Sequence, residues 1–278
     1  MRKHLSTIIL ILIFCIGLSL LLYPTVSNYW NSMHQSQAIA NYAEAVAELD
    51  DTSYEQLWAD AQRYNQTLLN KENRYMLTDE EWEEYEALLD VSGNGIIGYI
   101  EIPSIDCALP IYHGTDEAVL QIAIGHIAGT SLPVGGENTH CVLSGHRGLP
   151  SAKLFTNLDQ LAEGDTFMLR VLDEILTYEV DQIRIVLPDE LDELEIVEGE
   201  DYCTLVTCTP YGINTHRLLV RGHRIANIET NNGIRVTADA MQIDTVLVAS
   251  FVAAPILFVL LIVLLVKTRR THARKGKK

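Results

Sequence analysis

The sequence lacks several features that would assign it to a common class of protein. No internal repeat or low-complexity tract is present, and no proline occurs between Pro24 and Pro103, so that stretch can form long helices. No two cysteines are spaced as Cys-x-x-Cys. The five cysteines are widely separated, at Cys15, Cys107, Cys141, Cys203 and Cys208. This odd, scattered set excludes a zinc ribbon and argues against a disulfide framework.

Basic residues are scarce except at the two ends of the chain. Nine of the 20 Lys and Arg residues lie in residues 1–4 and 267–278, which leaves 11 against all 37 acidic residues and a net charge of −26 on the middle segment. Such a segment excludes nucleic acid as a partner, because phosphate binding depends on Lys and Arg, and anionic headgroups would repel it. A highly solvated surface, or attraction of a substrate that carries lysine, remains open.

Charge is absent from two long apolar runs, residues 5–23 and 245–266. At about 1.5 Å per residue, each is long enough to cross the core of a bilayer as a helix. The first run could also be a signal peptide. It is longer than the usual apolar region of about 7–15 residues, and no small-x-small cleavage site follows, which favours a retained anchor. The second run is interrupted only by Pro255, which membrane helices tolerate. The sequence therefore predicts two transmembrane helices.

The flanking charges orient these two spans. Arg2 and Lys3 precede the first, and the basic tail 267–278 follows the second. Positive residues concentrate on the cytoplasmic side of membrane proteins. We therefore expect a two-pass protein of the cell membrane with both termini cytoplasmic and with residues 24–244 outside the cell.

The outer segment divides by pattern at about residue 95. Residues 24–95 predict helices, with apolar residues that recur at helical spacing: Ala38, Tyr42, Ala45, Val46 and Leu49. A further helix is predicted from Thr78, an N-cap residue followed by acidic residues, to Leu89. Residues 96–228 read as seven or eight short strands, which is typical of a closed or nearly closed β-barrel. Within them a helix is predicted at Ser151–Leu161, and residues 229–244 form a linker.

The segment from Asp201 to Arg224 carries most of the chemical information. It predicts a strand that ends at Cys208, a loop with Pro210 and Gly212, and a return strand that contains Arg217. A hairpin brings Arg217 back beside the thiol. A neighbouring cation favours the reactive thiolate, and an arginine can stabilise the negative charge that develops on a carbonyl oxygen during acylation.

The histidine that would complete a catalytic set is less obvious, because the outer segment contains seven histidines. His146 is the best placed, since Gly145 and Gly148 allow a tight turn into a cleft. His140 lies at the other end of the same strand, about 20 Å away, and His216 points away from Arg217. On spacing alone, a buried free cysteine with two surface cations remains an alternative.

Longer motifs around these residues resemble the sortase family, and within it class C, the pilus-assembling type. The run TLVTC ends at Cys208 and is followed by TPYGINTHRLLVRGHR, while SLPVGGENTHCVLSGH leads to HRGLP at His146; IGYIEIP and LPIYHGT also match. The similarity extends from about Ile97 to Arg224. It implies a mostly β fold, an eight-stranded closed sortase-type barrel, with Cys208, His146 and Arg217 as catalytic residues. Thr207, Leu205, Tyr211 and Arg147, which lie beside them, are candidate substrate contacts.

The resemblance also implies an activity and partners. Sortases cleave an LPxTG-like sorting signal through a cysteine thioester and transfer the acyl group to an amine. In class C that amine is a pilin lysine, and in housekeeping sortases it is a cell-wall precursor, which remains the second hypothesis. Contact with the lipid bilayer through two spans is also typical of class C. No metal and no cofactor are expected. A membrane-tethered binding domain without catalytic activity is a remote third alternative.

Two further details concern the lid of class C sortases and the two cysteines Cys141 and Cys203. Class C sortases usually carry an Asp-Pro-aromatic motif in a lid that closes the active site, and this motif is absent here. Over about residues 64–95 an ordinary amphipathic helix is the favoured interpretation, and occupation of the cleft by Tyr75, Trp82 or Tyr85 is the alternative. The resemblance further implies that Cys141 and Cys203 lie on neighbouring parallel strands, where buried free thiols are expected and a disulfide is the less favoured alternative.

Overall fold

The computed structural model describes residues 5–227 and residue 258. Residues 30–227 belong to one compact unit. Apart from Phe258, the predicted second span at 245–266, the linker at 229–244 and the basic tails at 1–4 and 267–278 lie outside the described residues.

Helix α1 spans Leu5–Ala47. It is long and apolar enough to cross a membrane, and it is the one helix within residues 5–227 that meets this criterion of length and composition. Large apolar side chains in its first part are exposed, including Leu12 and Leu20. Such exposure is costly in water and favourable in lipid. These properties indicate membrane anchoring through the N-terminal segment.

Two further helices precede the barrel, and both begin at capping residues. Helix α2 (Asp51–Leu68) follows Asp50, whose carboxylate accepts a hydrogen bond from the Ser53 amide at 2.7 Å. Helix α3 (Asp79–Ala87) begins with a capping box between Thr78 and Glu81. The helix predicted from Thr78 is therefore confirmed, although it ends two residues earlier than expected, because Leu89 has a left-handed backbone with φ of 60°.

The barrel is closed and has eight strands. Its neighbours follow the order β1-β2-β3-β4-β7-β8-β6-β5, and β5 pairs with β1 to close it. The strands are β1 (Ile96–Ile102), β2 (Cys107–His113), β3 (Ile124–His126), β4 (Thr139–Ser144), β5 (Thr166–Val171), β6 (Glu174–Val186), β7 (Asp201–Thr209) and β8 (His216–Ile225). A short helix, α4 (Glu117–Leu120), connects β2 to β3. The predicted mostly β fold, a closed barrel with N-terminal helices, is confirmed.

Alternation along the strands separates the barrel interior from its outer face. On β7, Cys203 and Leu205 are fully buried in the main core, whereas Val206 belongs to a second apolar cluster on the outer face. Strand β4 runs parallel to β7, and Cys141 is the direct partner of Cys203. The expected neighbourhood of these two thiols is confirmed, and both are free and buried.

The helices are attached to the barrel by buried hydrogen bonds. The Tyr42 hydroxyl on α1 donates to the carbonyl of Ile97 at 3.2 Å and accepts from the amide of Leu172 at 2.8 Å. On α2, the Asn65 side chain donates to the carbonyl of Leu132 at 3.1 Å and accepts from its amide at 2.7 Å. These bonds hold α2 against the connection between β3 and β4.

The helix predicted at Ser151–Leu161 is wrong. That segment forms turns and one short 3-10 helix, Leu158–Gln160. Leu154 has a positive φ of 37°, which an α-helix does not accept, and the amide of Phe155 bonds to the carbonyl of His146 instead of to a helical partner. The apolar side chains that suggested one helical face are nevertheless buried: Phe155, Leu158 and Leu161.

Candidate active site

Cys208 and Arg217 lie directly opposite each other on the antiparallel strands β7 and β8. Cys208 is half-buried at the end of its strand. The Arg217 guanidinium is held near the turn between the strands, where its Nη1 donates to the carbonyls of His216 at 3.1 Å and Asn214 at 3.4 Å. Side chains of paired residues project from the same side of a sheet, so the cation and the thiol share the outer face of the barrel.

His146 approaches this pair from the other side of β7. Strand β4 ends at Ser144, which pairs with Val206 on β7. Two hydrogen bonds continue this pairing beyond the end of β4. The Gly145 amide donates to the carbonyl of Val206 at 3.0 Å, and the Thr207 hydroxyl donates to the carbonyl of Gly145 at 2.8 Å. Strands β4 and β7 are parallel, and Ser144 pairs with Val206. Continuing this register by two residues on each strand places His146 opposite Cys208.

Two glycines allow this turn, for different reasons. A Cβ on Gly145 would lie 2.7 Å from the ring of Phe155, closer than side-chain atoms tolerate. Gly148 has a positive φ of 76°, and a Cβ there would lie 2.8 Å from the ring of Tyr211. The glycines on both sides of His146 are therefore required by close packing and by backbone conformation.

No sequence pattern indicated that His146 has an acidic neighbour. Glu117, the first residue of α4, places its Oε2 3.9 Å from Nε2 of His146, and its side chain is 74% exposed. The two residues are far apart in the sequence and belong to different connections of the barrel. Their proximity follows only from the way in which β3 pairs with both β2 and β4.

Arg147 and Tyr211, both predicted substrate contacts, lie against each other. The Arg147 guanidinium forms an ion pair with Asp159 and lies 5.7 Å from the centre of the Tyr211 ring. Its Nε is buried and has no hydrogen-bond partner among the described residues. The Tyr211 side chain is 60% exposed. The pair therefore connects the turn after His146 with the turn after Cys208, and Tyr211 leaves much of its ring accessible.

Thr207 and Leu205, the other two predicted contacts, face the barrel interior. Leu205 is fully buried in the main core, and Thr207 is 1% exposed with its hydroxyl bonded to Gly145. Neither side chain shares the face that carries Cys208, and the buried Leu205 side chain is not available for contact with a substrate. Val206 does share that face. The alternation of β7, which places Val206 with Cys208, was the pattern that could have identified it.

An apolar cluster covers the outer face next to Cys208 and Arg217. It is contributed by β4, β7 and β8 together with the loop of residues 187–200 between β6 and β7: Val142, Val206, Leu219 and Leu194. Ile127 and Val186 pack at its margin. We call these six residues the outer cluster. Leu194 is 6% exposed, so the loop lies closely on the strands that carry the site.

The histidines set aside by sequence reasoning have other partners. His140 is buried, with Nδ1 2.8 Å from the carbonyl of Glu195 and Nε2 2.7 Å from the hydroxyl of Thr204. Burial lowers the pKa of His140 to about 4, so its ring is neutral at neutral pH. His216 places Nδ1 2.9 Å from the hydroxyl of Thr215. Both arrangements agree with excluding these residues from the catalytic set.

The three aromatic residues considered as a plug are engaged elsewhere. The Tyr85 hydroxyl lies 2.8 Å from Nδ1 of His126, and its ring is fully buried. Trp82, on the same helix, donates from Nε1 to Glu86 at 3.0 Å. Tyr75 lies under the guanidinium of Arg74. Helix α3 thus packs as an amphipathic helix.

Within the described part of the chain, no group of three or more acidic, His or Cys side chains is arranged to hold a metal ion.

Comparison with known proteins agrees with this architecture. A family model described as the sortase domain matches residues 100–225. The solved structure of sortase C1 from Streptococcus agalactiae is 50% identical, covers 69% of this chain and 100% of its own, and superposes with a TM-score of 0.67. The chain belongs to the sortase family. Members of this family are cysteine transpeptidases, and the predicted relationship to class C sortases is confirmed.

Two other sortase structures are similar to this sortase. Sortase C of Clostridium perfringens, solved with the C-terminal cell wall sorting motif, is 47% identical, covers 69% of this chain and 99% of its own, with a TM-score of 0.61. Sortase C of Streptococcus pneumoniae, described in terms of catalysis and pilin substrate specificity, is 47% identical, covers 68% and 97%, and has the same TM-score of 0.61. The chain spans between 47% and 63% of the length of the curated sortases it matches.

Proposed function

We propose that this sortase cleaves an LPxTG-like sorting signal, holds the released acyl group as a thioester on Cys208, and transfers it to an amine. The observation that carries the proposal is the cross-strand pair of Cys208 and Arg217, with His146 brought to the same level by the parallel strand β4. The proposed nucleophile and cation thus lie on two adjacent strands, and the proposed proton carrier lies in the turn that follows a third, which holds the three groups close together.

In the first half of the reaction, Sγ of Cys208 attacks the scissile carbonyl carbon as a thiolate. The new S–C bond places negative charge on the carbonyl oxygen, which the Arg217 guanidinium stabilises without changing its own protonation. When the C–N bond breaks, protonated His146 gives its proton to the departing amine. The sorting signal then remains attached through a thioester.

In the second half, an amine attacks the thioester carbonyl. His146, now neutral, accepts the proton that the amine loses as the new C–N bond forms, and the S–C bond breaks to return the thiolate. Arg217 stabilises the oxygen of this second tetrahedral species in the same way. The result is an amide between the sorted protein and the acceptor.

We assign different roles to the other candidate residues. Thr207 positions His146 through the carbonyl of Gly145 instead of touching the peptide. Tyr211, which lies in the turn after Cys208 and has an exposed ring, is the proposed contact for the peptide. The Arg147 guanidinium packs against this ring. The solved complex of C. perfringens sortase C with a sorting motif supports a peptide of this class as the donor.

The acceptor we propose is a lysine of a pilin, so that the product is a polymer of pilins. The similarity to sortases C, one of them described in terms of pilin substrate specificity, supports this choice. The acidic outer segment, with its net charge of −26, would attract a cationic acceptor from solution. Attachment of proteins to a cell-wall amine is the alternative outcome of the same chemistry.

A competition experiment with the full chain in detergent micelles tests this function. A labelled LPxTG-like peptide is incubated with equal amounts of a pilin-like lysine peptide and a peptidoglycan stem amine, and products are identified by mass. We expect a thioester on Cys208 and a product with the lysine peptide. Transfer that persists in Cys208→Ala would contradict the nucleophile assignment, and a product with the stem amine alone would assign the chain to cell-wall attachment.

We also propose that the chain crosses the membrane twice, through residues 5–23 and 245–266, with the barrel outside and both ends in the cytoplasm. The basic segments 1–4 and 267–278 support this orientation. Reporter fusions at both termini test it: a reporter active only in the cytoplasm should be active at both ends. Activity at one end alone would contradict the two-pass arrangement.

A further inference from the structure

Glu117 is a charged side chain at the site to which the proposed chemistry assigns no role. Its Oε2 lies 3.9 Å from Nε2 of His146, and its Oε1 accepts a hydrogen bond from the side-chain amide of Gln121 at the end of α4. The amide holds one carboxylate oxygen and leaves the other beside the histidine. Among the described residues, no lysine or arginine forms an ion pair with Glu117.

The strand order arranges the charged and reactive groups of the site across the sheet. Strands β8, β7 and β4 are neighbours, and they contribute Arg217, Cys208 and, just after β4, His146. Glu117 comes from the connection between β2 and β3, which are the next strands in the same barrel. In strand order, His146 thus lies between Cys208 and Glu117. The site is cationic on one side of the thiol and anionic on the other.

The two substrates of the proposed reaction differ in charge in the same way. The donor develops negative charge on its carbonyl oxygen, which Arg217 stabilises. The acceptor is a primary amine, and it is a cationic ammonium at neutral pH because the ordinary pKa of a lysine side chain is about 10.4. The Glu117 carboxylate complements this ammonium and would repel the oxyanion. Its place is therefore on the acceptor side of the thioester.

The distance between the two side chains suits one shared nitrogen. A hydrogen bond that involves nitrogen is about 2.9 Å long. Because 3.9 Å is less than twice that length, one amine nitrogen can contact both Oε2 of Glu117 and Nε2 of His146. Both side chains are open to solvent, with 74% of Glu117 and 28% of His146 exposed. An amine can therefore reach them from the outside of the barrel.

We propose that Glu117 is a specificity-determining residue for the acceptor: it binds the primary ammonium of the incoming nucleophile beside His146. This assignment rests on the proposed function and deepens it. Gln121 is a positioning residue, because it acts through the carboxylate that it holds.

The acceptor loses two protons between binding and amide formation. The ammonium held by Glu117 gives the first to water and becomes a neutral amine. When its nitrogen bonds to the thioester carbonyl carbon, His146 accepts the second proton, and the S–C bond breaks to leave Cys208 as the thiolate. The carboxylate of Glu117 is unchanged at the end of the cycle. It selects the nucleophile and takes no part in the bond changes.

Kinetics of the full chain in detergent micelles test this role with Glu117→Gln, which keeps the shape of the side chain and removes its charge. A labelled LPxTG-like peptide forms the thioester, which is then resolved with a pilin-like lysine peptide, a peptidoglycan stem amine or hydroxylamine. The first two carry a primary ammonium, whereas hydroxylamine is mainly uncharged at neutral pH. We expect the KM for an ammonium acceptor to rise about fivefold, as for one partly exposed charge pair, and the KM for hydroxylamine to stay unchanged.

The two ammonium acceptors distinguish the sources of the nucleophile. A rise for the lysine peptide alone would assign the site to pilin lysines, and a rise for the stem amine alone would assign it to a cell-wall precursor. Either result supports recognition of an ammonium by Glu117.

The rate of thioester formation separates this role from a structural one. It should not change in Glu117→Gln, because the scissile nitrogen is an uncharged amide until its bond breaks. If Glu117 only held the His146 ring in place, both halves of the reaction would slow together. The matched control is Asp116→Asn. Asp116 is exposed, precedes Glu117 directly and makes no side-chain capping bond, so this variant has the same net charge and should keep the acceptor KM.

Two results would overturn the proposal. An unchanged KM for both ammonium acceptors in Glu117→Gln would mean that the carboxylate does not bind the nucleophile, and an equal rise for hydroxylamine would mean that it does not recognise charge. Failure of the proposed function is distinguishable, because the unmodified chain would then form no thioester. Calorimetric binding of the lysine peptide to Cys208→Ala, with and without Glu117→Gln, reports on the carboxylate even in that case, and equal affinities would contradict its role.

Discussion

Cys208 and Arg217 are direct partners across β7 and β8, with the guanidinium anchored on two carbonyls of the turn between them. This anchoring uses the forked geometry of arginine, which can bind backbone oxygens and still present N–H groups to a substrate. A lysine ammonium concentrates its three N–H donors at one nitrogen and lacks this planar fork.

Replacing Arg217 with lysine is therefore expected to impair the reaction even though the charge is kept. We expect kcat/KM for peptide transfer to fall by about 10²–10³, as when one oxyanion donor is lost, with donor KM changed much less. Initial rates with a saturating amine measure this. The corresponding change Arg63→Lys, on α2 and exposed, serves as the control. Full activity of Arg217→Lys would show that charge alone is sufficient.

Thr207→Val tests whether the position of His146 depends on β7. The change preserves shape and removes the hydroxyl that donates to the Gly145 carbonyl at 2.8 Å. Since a buried carbonyl is left without its partner, the free energy of unfolding should fall by about 1–3 kcal/mol. We expect kcat to fall about tenfold with an unchanged donor KM. Thr207→Ser retains the hydroxyl and should restore kcat; no rescue would argue against a positioning role.

Gly148→Ala tests the contact between the turn after His146 and Tyr211. The positive φ of 76° and a Cβ placed 2.8 Å from the Tyr211 ring both oppose alanine, and we expect a loss of about 1–3 kcal/mol in stability together with lower kcat. Gly164→Ala is a matched control, because its φ is also positive, 92°, with nothing within 4 Å of the added Cβ. Thermal unfolding should show a smaller loss for the control, and equal losses would exclude the steric contribution.

Stability should decrease in mild acid because of buried neutral histidines. Burial lowers the pKa of His140 to about 4, below its ordinary value of 6.5, and Arg221 and Arg74 further disfavour its charge, whereas the Glu195 carbonyl and Asp181 partly oppose the shift. Below pH 6.5 the unfolded chain gains a proton that the folded chain does not bind. The folded state therefore loses stability as pH falls from 6.5 towards 4, by at most about 3 kcal/mol for this residue.

The difference between the unmodified chain and His140→Gln isolates that contribution. Burial also lowers the pKa of His113 to about 4, so part of the acid sensitivity should remain in the variant. Thermal unfolding midpoints of the unmodified chain and of His140→Gln, measured at pH 7 and pH 5, give the contribution of His140 and the acid sensitivity that remains without it. We expect a smaller decrease for His140→Gln than for the unmodified chain. An equal decrease would mean that His140 is protonated in the folded state.

Much of the site followed from local pattern. Period-two alternation and a short connection were sufficient to place Arg217 beside Cys208, because a hairpin has few ways to pair its strands. The N-cap at Thr78 likewise identified the start of α3, since capping depends on residues within one turn. Alternation should also have separated Leu205, which faces the core, from Val206, which faces the site.

The helix predicted at Ser151–Leu161 failed for a nonlocal reason. Its apolar spacing was correct for burial, but the left-handed backbone at Leu154 and the bond from Phe155 to the carbonyl of His146 depend on the chain already lying against the site. Periodicity reports which side chains are buried, and it cannot report which backbone partner satisfies each amide.

By itself, the sequence determined the barrel, the N-terminal anchor, the sortase family and the pairing of Cys208 with Arg217, because alternation, long apolar runs and specific motifs are local properties of the chain. Only the tertiary structure placed Glu117 beside His146 and Leu194 in the outer cluster. Those contacts join segments brought together by strand order and loop packing. No local sequence pattern predicts contacts between residues that are far apart in the chain, because the free energy that stabilises these contacts comes from the packing of the whole barrel.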